Sequence, residues 1–339
     1  MINYWQQNKQ RLEKIDSEES ASRKNIWIDA RSVTREDIRI LEDEYKIEQE
    51  HILDILDQDE LSRIEKTDNY TLIIIRLPVF SPATDVSYFT IPLGVIIFPN
   101  KIVTICWTDC EVLKDIAANR MKSLSLSDSS AFIMSIIGRA DISFLRYLKE
   151  INRRSTTIQN ELQRSVKNYE LIQLMNMQKS LVFFTTSLKS NQLLIEKLSK
   201  TRIISLDEED RDNLEDVAID NRQAIEMADT YSNIIGGLVD TFTSIISNNL
   251  NIVMKRLTVI SLVLNVPTLI TSYFGMNTWL PFAVFGKMGL LIVTMICIVT
   301  TFLAMLLLRD KPTSSSRKKK QNNYRRRQQK KLPSSFEGS

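Results

Sequence analysis

Eight residues, Ser247, Asn251, Met254, Thr258, Ser261, Asn265, Thr268 and Ser272, recur at alternating steps of four and three. That spacing sets them in one row along a helix. All but Met254 carry a hydroxyl or an amide, and the residues between them are largely Ile, Leu and Val. Oxygen-rich side chains in a file suit water and hard, hydrated cations. Much of the row lies in an uncharged stretch, Val253 to Phe274, in which Lys255 and Arg256 are the only charges. Its twenty-two residues span ~33 Å at a helical rise of ~1.5 Å, enough to cross a bilayer core of ~30 Å. A lone helix in lipid gains nothing from a polar face, and two Asn are costly there unless they meet protein or water. Two readings follow. Small polar residues pack membrane helices together, or the row lines a wet pore at the axis of a helix bundle. The length of the row, from before the apolar run to its end, favours the pore.

Such a row needs a long scaffold. Ile225, Ala228, Ile235, Leu238, Phe242 and Ile245 recur at helical spacing, and no proline occurs between the acidic run 207–212 and Pro267. One helix of over sixty residues is predicted from that run to Phe274. Gly236-Gly237 allows a bend or close packing. The acidic run (Asp207, Glu208, Glu209, Asp210, Asp212) reads as a helix start, since acids favour the N-terminal end of the dipole. A weak site for a hard divalent cation is the alternative. After Thr278–Lys287 comes a second uncharged run, Met288 to Leu308, again long enough to span. Lys255 and Arg256 precede the first span. Arg309, Lys311 and the clusters at 317–320 and 325–327 follow the second, and only Lys287 lies between. The positive-inside rule then puts both termini and the soluble body in the cytoplasm.

Residues 24–107 read as mixed α/β. Asn25–Asp29, Tyr70–Val79, Val86–Phe98 and Lys101–Trp107 are strand-like. Thr34, with Asp37 three residues on, caps a helix, and a second helix covers about Gln49–Leu56. The apolar runs at 73–75 and 95–97 suggest strands buried on both faces, with helices covering the sheet. From about Asp128 the pattern is helical throughout. The net charge of +3 hides an asymmetry: residues 309–339 hold eleven Lys or Arg against two acids, and residues 1–254 sum to −9. A basic tail beside a span reads as attracted to anionic lipid head groups, with no nucleic acid expected. Cys106, Cys110 and Cys297 are an odd number and imply no disulfide framework. Cys106 and Cys110 lack a second pair or a nearby His for zinc, and the single His51 reads as a packing or surface residue. No nucleophile–base arrangement and no phosphate-binding Gly loop is present, so no enzyme is expected.

Gly275-Met276-Asn277 ends the first run, after Tyr273-Phe274, with a second run close behind and an acidic α/β body ahead. Together these features resemble the CorA family of divalent-cation channels. The resemblance covers nearly all of the chain except the long basic tail. It implies an α+β cytosolic domain with a mixed sheet covered by helices, a long helical stalk and two C-terminal transmembrane helices, in a funnel-shaped homopentamer. It places Gly275, Met276 and Asn277 at the external mouth as the selectivity element, where Asn277 carbonyls accept hydrogen bonds from a hydration shell that Mg²⁺ sheds reluctantly. Gly275 permits the backbone turn that closes the helix. Asn251, Met254, Leu257 and Asn265 map to pore-lining positions, with Met254 and Leu257 as a hydrophobic constriction able to gate by dewetting. Asn265 stands where some relatives carry an apolar residue, which makes a polar ion station the better reading there. Asp240 falls in the funnel neck. Asp54 and Asp216 match a regulatory Mg²⁺ site shared between subunits. The external loop departs from the family in holding a Lys and no acid.

The implied boundaries are 1–125 (α/β domain), 126–250 (helical region and stalk), 251–275 (pore helix), 276–287 (external loop), 288–308 (second span) and 309–339 (tail). The implied function is potential-driven uptake of hydrated Mg²⁺, with Co²⁺ and Ni²⁺ as related cargo, across the cell membrane and under control of cytosolic Mg²⁺. The rivals are transport of another metal such as Zn²⁺, and a non-conducting membrane-anchored coiled-coil scaffold.

Overall fold

A computed structural model describes residues 1–8, 11–16, 25–121, 124–164, 168–201, 206–275 and 287–308. The strands are β1 (Ile2–Asn8), β2 (Arg11–Ile15), β3 (Ile26–Arg31), β4 (Arg63–Lys66), β5 (Thr71–Phe80), β6 (Tyr88–Ile97) and β7 (Lys101–Cys106). The helices are α1 (Arg35–Asp43), α2 (Gln49–Leu56), α3 (Glu111–Ala117), α4 (Ser129–Arg164), α5 (Asn168–Lys200), α6 (Glu208–Phe274) and α7 (Lys287–Leu307). The chain divides into two units, Met1–Ser244 and the part from Ile245 onward, and α6 contributes residues to both.

In the first unit the seven strands form one sheet in the order β2-β1-β3-β7-β6-β5-β4. Only β3 and β7 run parallel, so the sheet is mixed as expected. Alternation along β5 sends Leu72 and Ile74 to one face and Ile73, Ile75 and Leu77 to the other. The first face is covered by Leu41 of α1 and Ile52 and Ile55 of α2. The second is covered by Val112 and Leu113 of α3, Phe132 and Ile136 of α4, Leu194 of α5 and Leu214 of α6. A further apolar seam joins the three long helices through Phe144, Leu148, Leu181, Phe184, Ala224 and Ala228. The sheet and the start of the helical region therefore share one core. At Thr34 both halves of the capping box are made.

Three elements were not anticipated. The β1–β2 hairpin and β4 are rich in Asn, Gln, Glu, Lys and Arg, and they are the edges of the sheet, where one face or edge meets water. Helix α3 has only seven residues, too short for periodicity to show. Gly94 sits under α2, where a Cβ would lie 2.5 Å from Ile55 Cγ1. A side chain there would lift α2 off the sheet.

Arg76 of β5 is buried with no ion pair among the described residues, and burial lowers its pKa. It is satisfied by neutral acceptors. Nη1 donates to the Gln58 and Glu60 carbonyls, Nη2 to Thr90 Oγ1 at 2.8 Å, and Nε to Ser187 Oγ at 3.2 Å. Asn191 of α5 closes the network by bonding both the N–H and the carbonyl of Arg76, each at 2.9 Å. One side chain thereby ties β5, β6, α5 and the loop after α2 together.

Asp141 of α4 is fully buried against α6, where Asn221 Nδ2 donates to its Oδ1 at 3.0 Å. The second oxygen of Asp141 and the amide oxygen of Asn221 have no partner among the described residues. Burial pushes the Asp141 carboxyl up to about 8, the hydrogen bond from Asn221 opposes this, and the Asp220 charge adds to it. The folded value lies above the ordinary one, so the folded state holds the proton longer and stability falls as pH rises from about 4 to about 8. Asp141→Asn should raise the unfolding temperature of the detergent-solubilised chain at pH 8, by ~2–4 °C for each kcal/mol gained. The gain should shrink toward pH 4, as a thermal melt series would show.

Candidate functional site

The row predicted from the sequence lies on α6, a single helix of 67 residues. An 18-residue window of its second half has a mean hydropathy of 1.6 and is only 6% buried. Ser247, Asn251, Met254, Thr258, Ser261, Asn265, Thr268 and Ser272 are all exposed or half-buried there, and Leu257 is exposed as well. Thr258 Oγ donates to the Met254 carbonyl and Thr268 Oγ to the Leu264 carbonyl, each at 2.9 Å. Their protons are thus spent on their own helix, and what these hydroxyls present outward is lone pairs. Below them Ser244 Oγ treats the Asp240 carbonyl the same way at 2.9 Å, and the Asp240 side chain is exposed. A file of acceptors is what a water-clad cation can use.

The rest of the second unit leaves the row open. Pro267 shares a cavity of about 340 Å³ with Cys297, Ile298, Thr301, Phe302 and Met305 of α7. Val263 is the most buried residue of the run. At 100° per residue, Val263 and Pro267 lie roughly 130–170° round the helix from the row. Pro267 also has no N–H, so the Val263 carbonyl loses its helical donor on that same side. Helix α7 has 21 residues, with an apolar part, Leu291–Leu307, shorter than a full span.

Gly275 directly follows the last residue of α6. Its N–H still bonds the Thr271 carbonyl at 2.8 Å, and its φ is outside the left-handed region. Met276 and Asn277 lie outside the described residues. So do most of the external loop and the tail.

The other candidates lie in the first unit. Asp54, in the last turn of α2, is held by Arg63 Nη2 at 2.7 Å, and Arg63 also pairs with Glu60. Sequence reading missed that partner, which arrives from β4. Asp216 is exposed on α6. No hydrogen bond or ion pair joins Asp54 to Asp216 within the chain among the described residues. No group of three or more His, Cys, Asp or Glu able to hold a metal forms among those residues either. His51 is buried, with Nδ1 2.7 Å from the Tyr70 hydroxyl, which is a packing role. Cys106 and Cys110 are buried free thiols, and Cys106 Sγ donates to the Pro92 carbonyl at 3.7 Å.

The acidic run turns out to be a cap. Asp210 N–H donates to Asp207 Oδ1 at 2.8 Å, Asp207 N–H donates back to Asp210 Oδ2 at 3.2 Å, and Ser130 of α4 donates to that oxygen at 2.8 Å. Asp207 thus satisfies the open N–H of Asp210, and Ser130 fixes the start of α6 against α4. Gly236 also seats α6, since a Cβ there would come within 3.2 Å of Gln178 Nε2 on α5, while Gly237 faces open space. Asp207→Ala should cost ~1 kcal/mol, a fall of ~2–4 °C in a thermal melt. Glu208→Gln should leave the melt unchanged, because Glu208 is exposed.

Comparison with known proteins agrees with this architecture. Residues 22–311 match the family described as CorA-like Mg²⁺ transporter protein. The chain is 26% identical over 263 residues to the cobalt/magnesium transport protein CorA of Methanocaldococcus jannaschii, covering 76% of this chain and 82% of that protein. The complete structure of the CorA magnesium transporter from the same organism superposes with a TM-score of 0.73 at 23% identity, covering 91% of this chain and 96% of that one. The cytoplasmic domain of ZntB from Vibrio parahaemolyticus shares the fold at a TM-score of 0.54 and 14% identity, over 74% of this chain and 97% of that one. With the family matched across most of its length, this chain belongs to the CorA family.

Proposed function

We propose that this protein is a divalent-cation channel that takes hydrated Mg²⁺, and Co²⁺ or Ni²⁺ as ions of like size, across the cell membrane. The observation that carries the reading is the uncovered polar row on a continuous α6, with α7 and the buried side of the helix turned away from it. A helix in lipid with such a row needs copies of itself to enclose it, and a homopentamer with α6 at the axis and α7 outside does so. The two spans rest on the apolar runs at 253–274 and 288–308, and the cytoplasmic termini on the charge distribution in the sequence.

In this arrangement Gly275, Met276 and Asn277 form the outer mouth. Asn265 and Asn251 accept hydrogen bonds from the ion's water shell. Met254 and Leu257 form an apolar ring that dewets when the helices close. Asp240 draws cations at the inner end. A membrane potential of ~100 mV contributes ~4.6 kcal/mol to the uptake of a doubly charged ion. Asp54 and Asp216 offer the hard oxygen ligands that Mg²⁺ takes, and both reach solvent. Mg²⁺ between Asp54 of one copy and Asp216 of the next holds the ring closed, and its loss leaves carboxylates that repel. Arg63 competes with Mg²⁺ for Asp54 inside one subunit.

Proteoliposomes with a trapped Mg²⁺-sensitive dye and an inside-negative potential test both halves. Wild type should take up Mg²⁺, and Asn277→Ala should abolish uptake. Asp54→Ala/Asp216→Ala should keep uptake running at internal Mg²⁺ levels that stop the wild type. Uptake of Zn²⁺ without Mg²⁺ would sink the magnesium reading, and no flux of either through folded assemblies would leave the scaffold. Arg63→Ala removes a partly exposed ion pair of ~1 kcal/mol or less. It should lower the internal Mg²⁺ needed for closure by up to about fivefold.

A further inference from the structure

The first unit carries a cleft of about 480 Å³ that ion conduction does not use. Its floor is aromatic. Phe80 ends β5 and Tyr88 begins β6, with ring centres 4.9 Å apart, and Tyr147 of α4 lies 5.5 Å from Tyr88. The ring pairs are tilted by 40° and 55°. Its wall is one face of α4, which carries Arg146, Lys149, Arg153 and Arg154. The volume is in the range of small-molecule sites.

The cations outnumber their partners. Glu150 alone serves both Arg153, at 3.1 Å, and Arg154, at 2.8 Å. Arg146 is paired with Glu111, and Lys149 has no ion pair among the described residues. Arg153 keeps 78% of its side chain exposed and Arg154 43%. Each guanidinium has five N–H donors in a planar fork, so most remain free for an oxyanion. The Arg154 guanidinium also lies 5.5 Å from the Phe80 ring centre and 5.6 Å from that of Tyr88, over their faces. Phe80 itself is 37% exposed. A second recess of about 100 Å³ shares Tyr88 and Arg154 and offers Ser87, Gln173 and Asn176 as neutral hydrogen-bonding groups.

Arg146 covers the Tyr147 ring at 4.9 Å, so the ring left part-open is Phe80, and a part-open ring beside guanidinium groups with spare donors matches a ligand with a flat ring at one end and phosphate at the other. We propose that this cleft binds a nucleoside polyphosphate, with the base on the exposed part of Phe80 and the phosphates on Lys149, Arg153 and Arg154. Every base has a π-face, so stacking here carries little base preference. The smaller recess takes the sugar hydroxyls.

Calorimetric titration of the full-length protein in detergent, with ATP in EDTA-containing buffer, tests this. ATP should bind saturably below ~1 mM. Adenosine and tripolyphosphate should each bind at least about tenfold more weakly, since each makes half the contacts. Phe80→Ala and Lys149→Glu should each weaken ATP binding about fivefold or more, and Lys149→Glu should leave the unliganded melting temperature unchanged. Lys149 is exposed, so its variant remains informative if Arg153→Glu/Arg154→Glu does not fold. No saturable ATP binding overturns the proposal. So does tripolyphosphate binding as tightly as ATP with Phe80→Ala silent, the behaviour of a basic surface such as the tail. ATP binding that survives every variant overturns it as well, by placing the ligand elsewhere.

Discussion

A helix that is capped by acids in water at one end and apolar at the other must satisfy different surroundings along one rod. Helix α6 does this over 67 residues. Its first turn is held by the Asp207–Asp210 cap and by Ser130. Its middle packs small residues, Ala224 and Ala228, into the seam with α4 and α5. Beyond residue 245 its apolar side chains and polar row both lie open. Those faces are compatible with lipid and with copies of the same helix, and with little else. The hydroxyls whose protons return to the backbone make the row rich in acceptors and poor in donors, a property that residue type alone does not convey.

The α/β body is organised to hold a few polar groups in place. Buried Arg76 anchors the loop after α2 to β5, β6 and α5 through neutral acceptors, and Gly94 lets α2 approach the sheet. Asp54 rides on that helix. Its position is set by packing, and its charge is held by Arg63, an exposed pair of the kind that salt or a divalent ion readily competes with. The cap of α6, by contrast, is internally satisfied, which is why its cluster of carboxylates is structural.

Much of the fold was legible because long elements announce themselves by period. The strands over 71–80, 88–97 and 101–106, the two short helices and the continuous α6 all followed from the pattern of apolar residues. The elements that escaped were edge strands and a seven-residue helix. Their residues are half solvated, so no single face has to be apolar.

The sequence by itself determined the row, its period and the apolar run that carries it, because hydrophobic spacing on one helix is a property of neighbours three and four apart. It also carried the family resemblance in Gly275-Met276-Asn277 and the two closing runs. Only the tertiary structure decided which charges meet. Arg63 finds Asp54 nine residues away, Asn221 finds Asp141 across eighty, and Phe80 meets Arg154 from another element. Such pairings depend on how sheet and helices stack, and a linear pattern holds no record of contacts between faces that folding alone brings together.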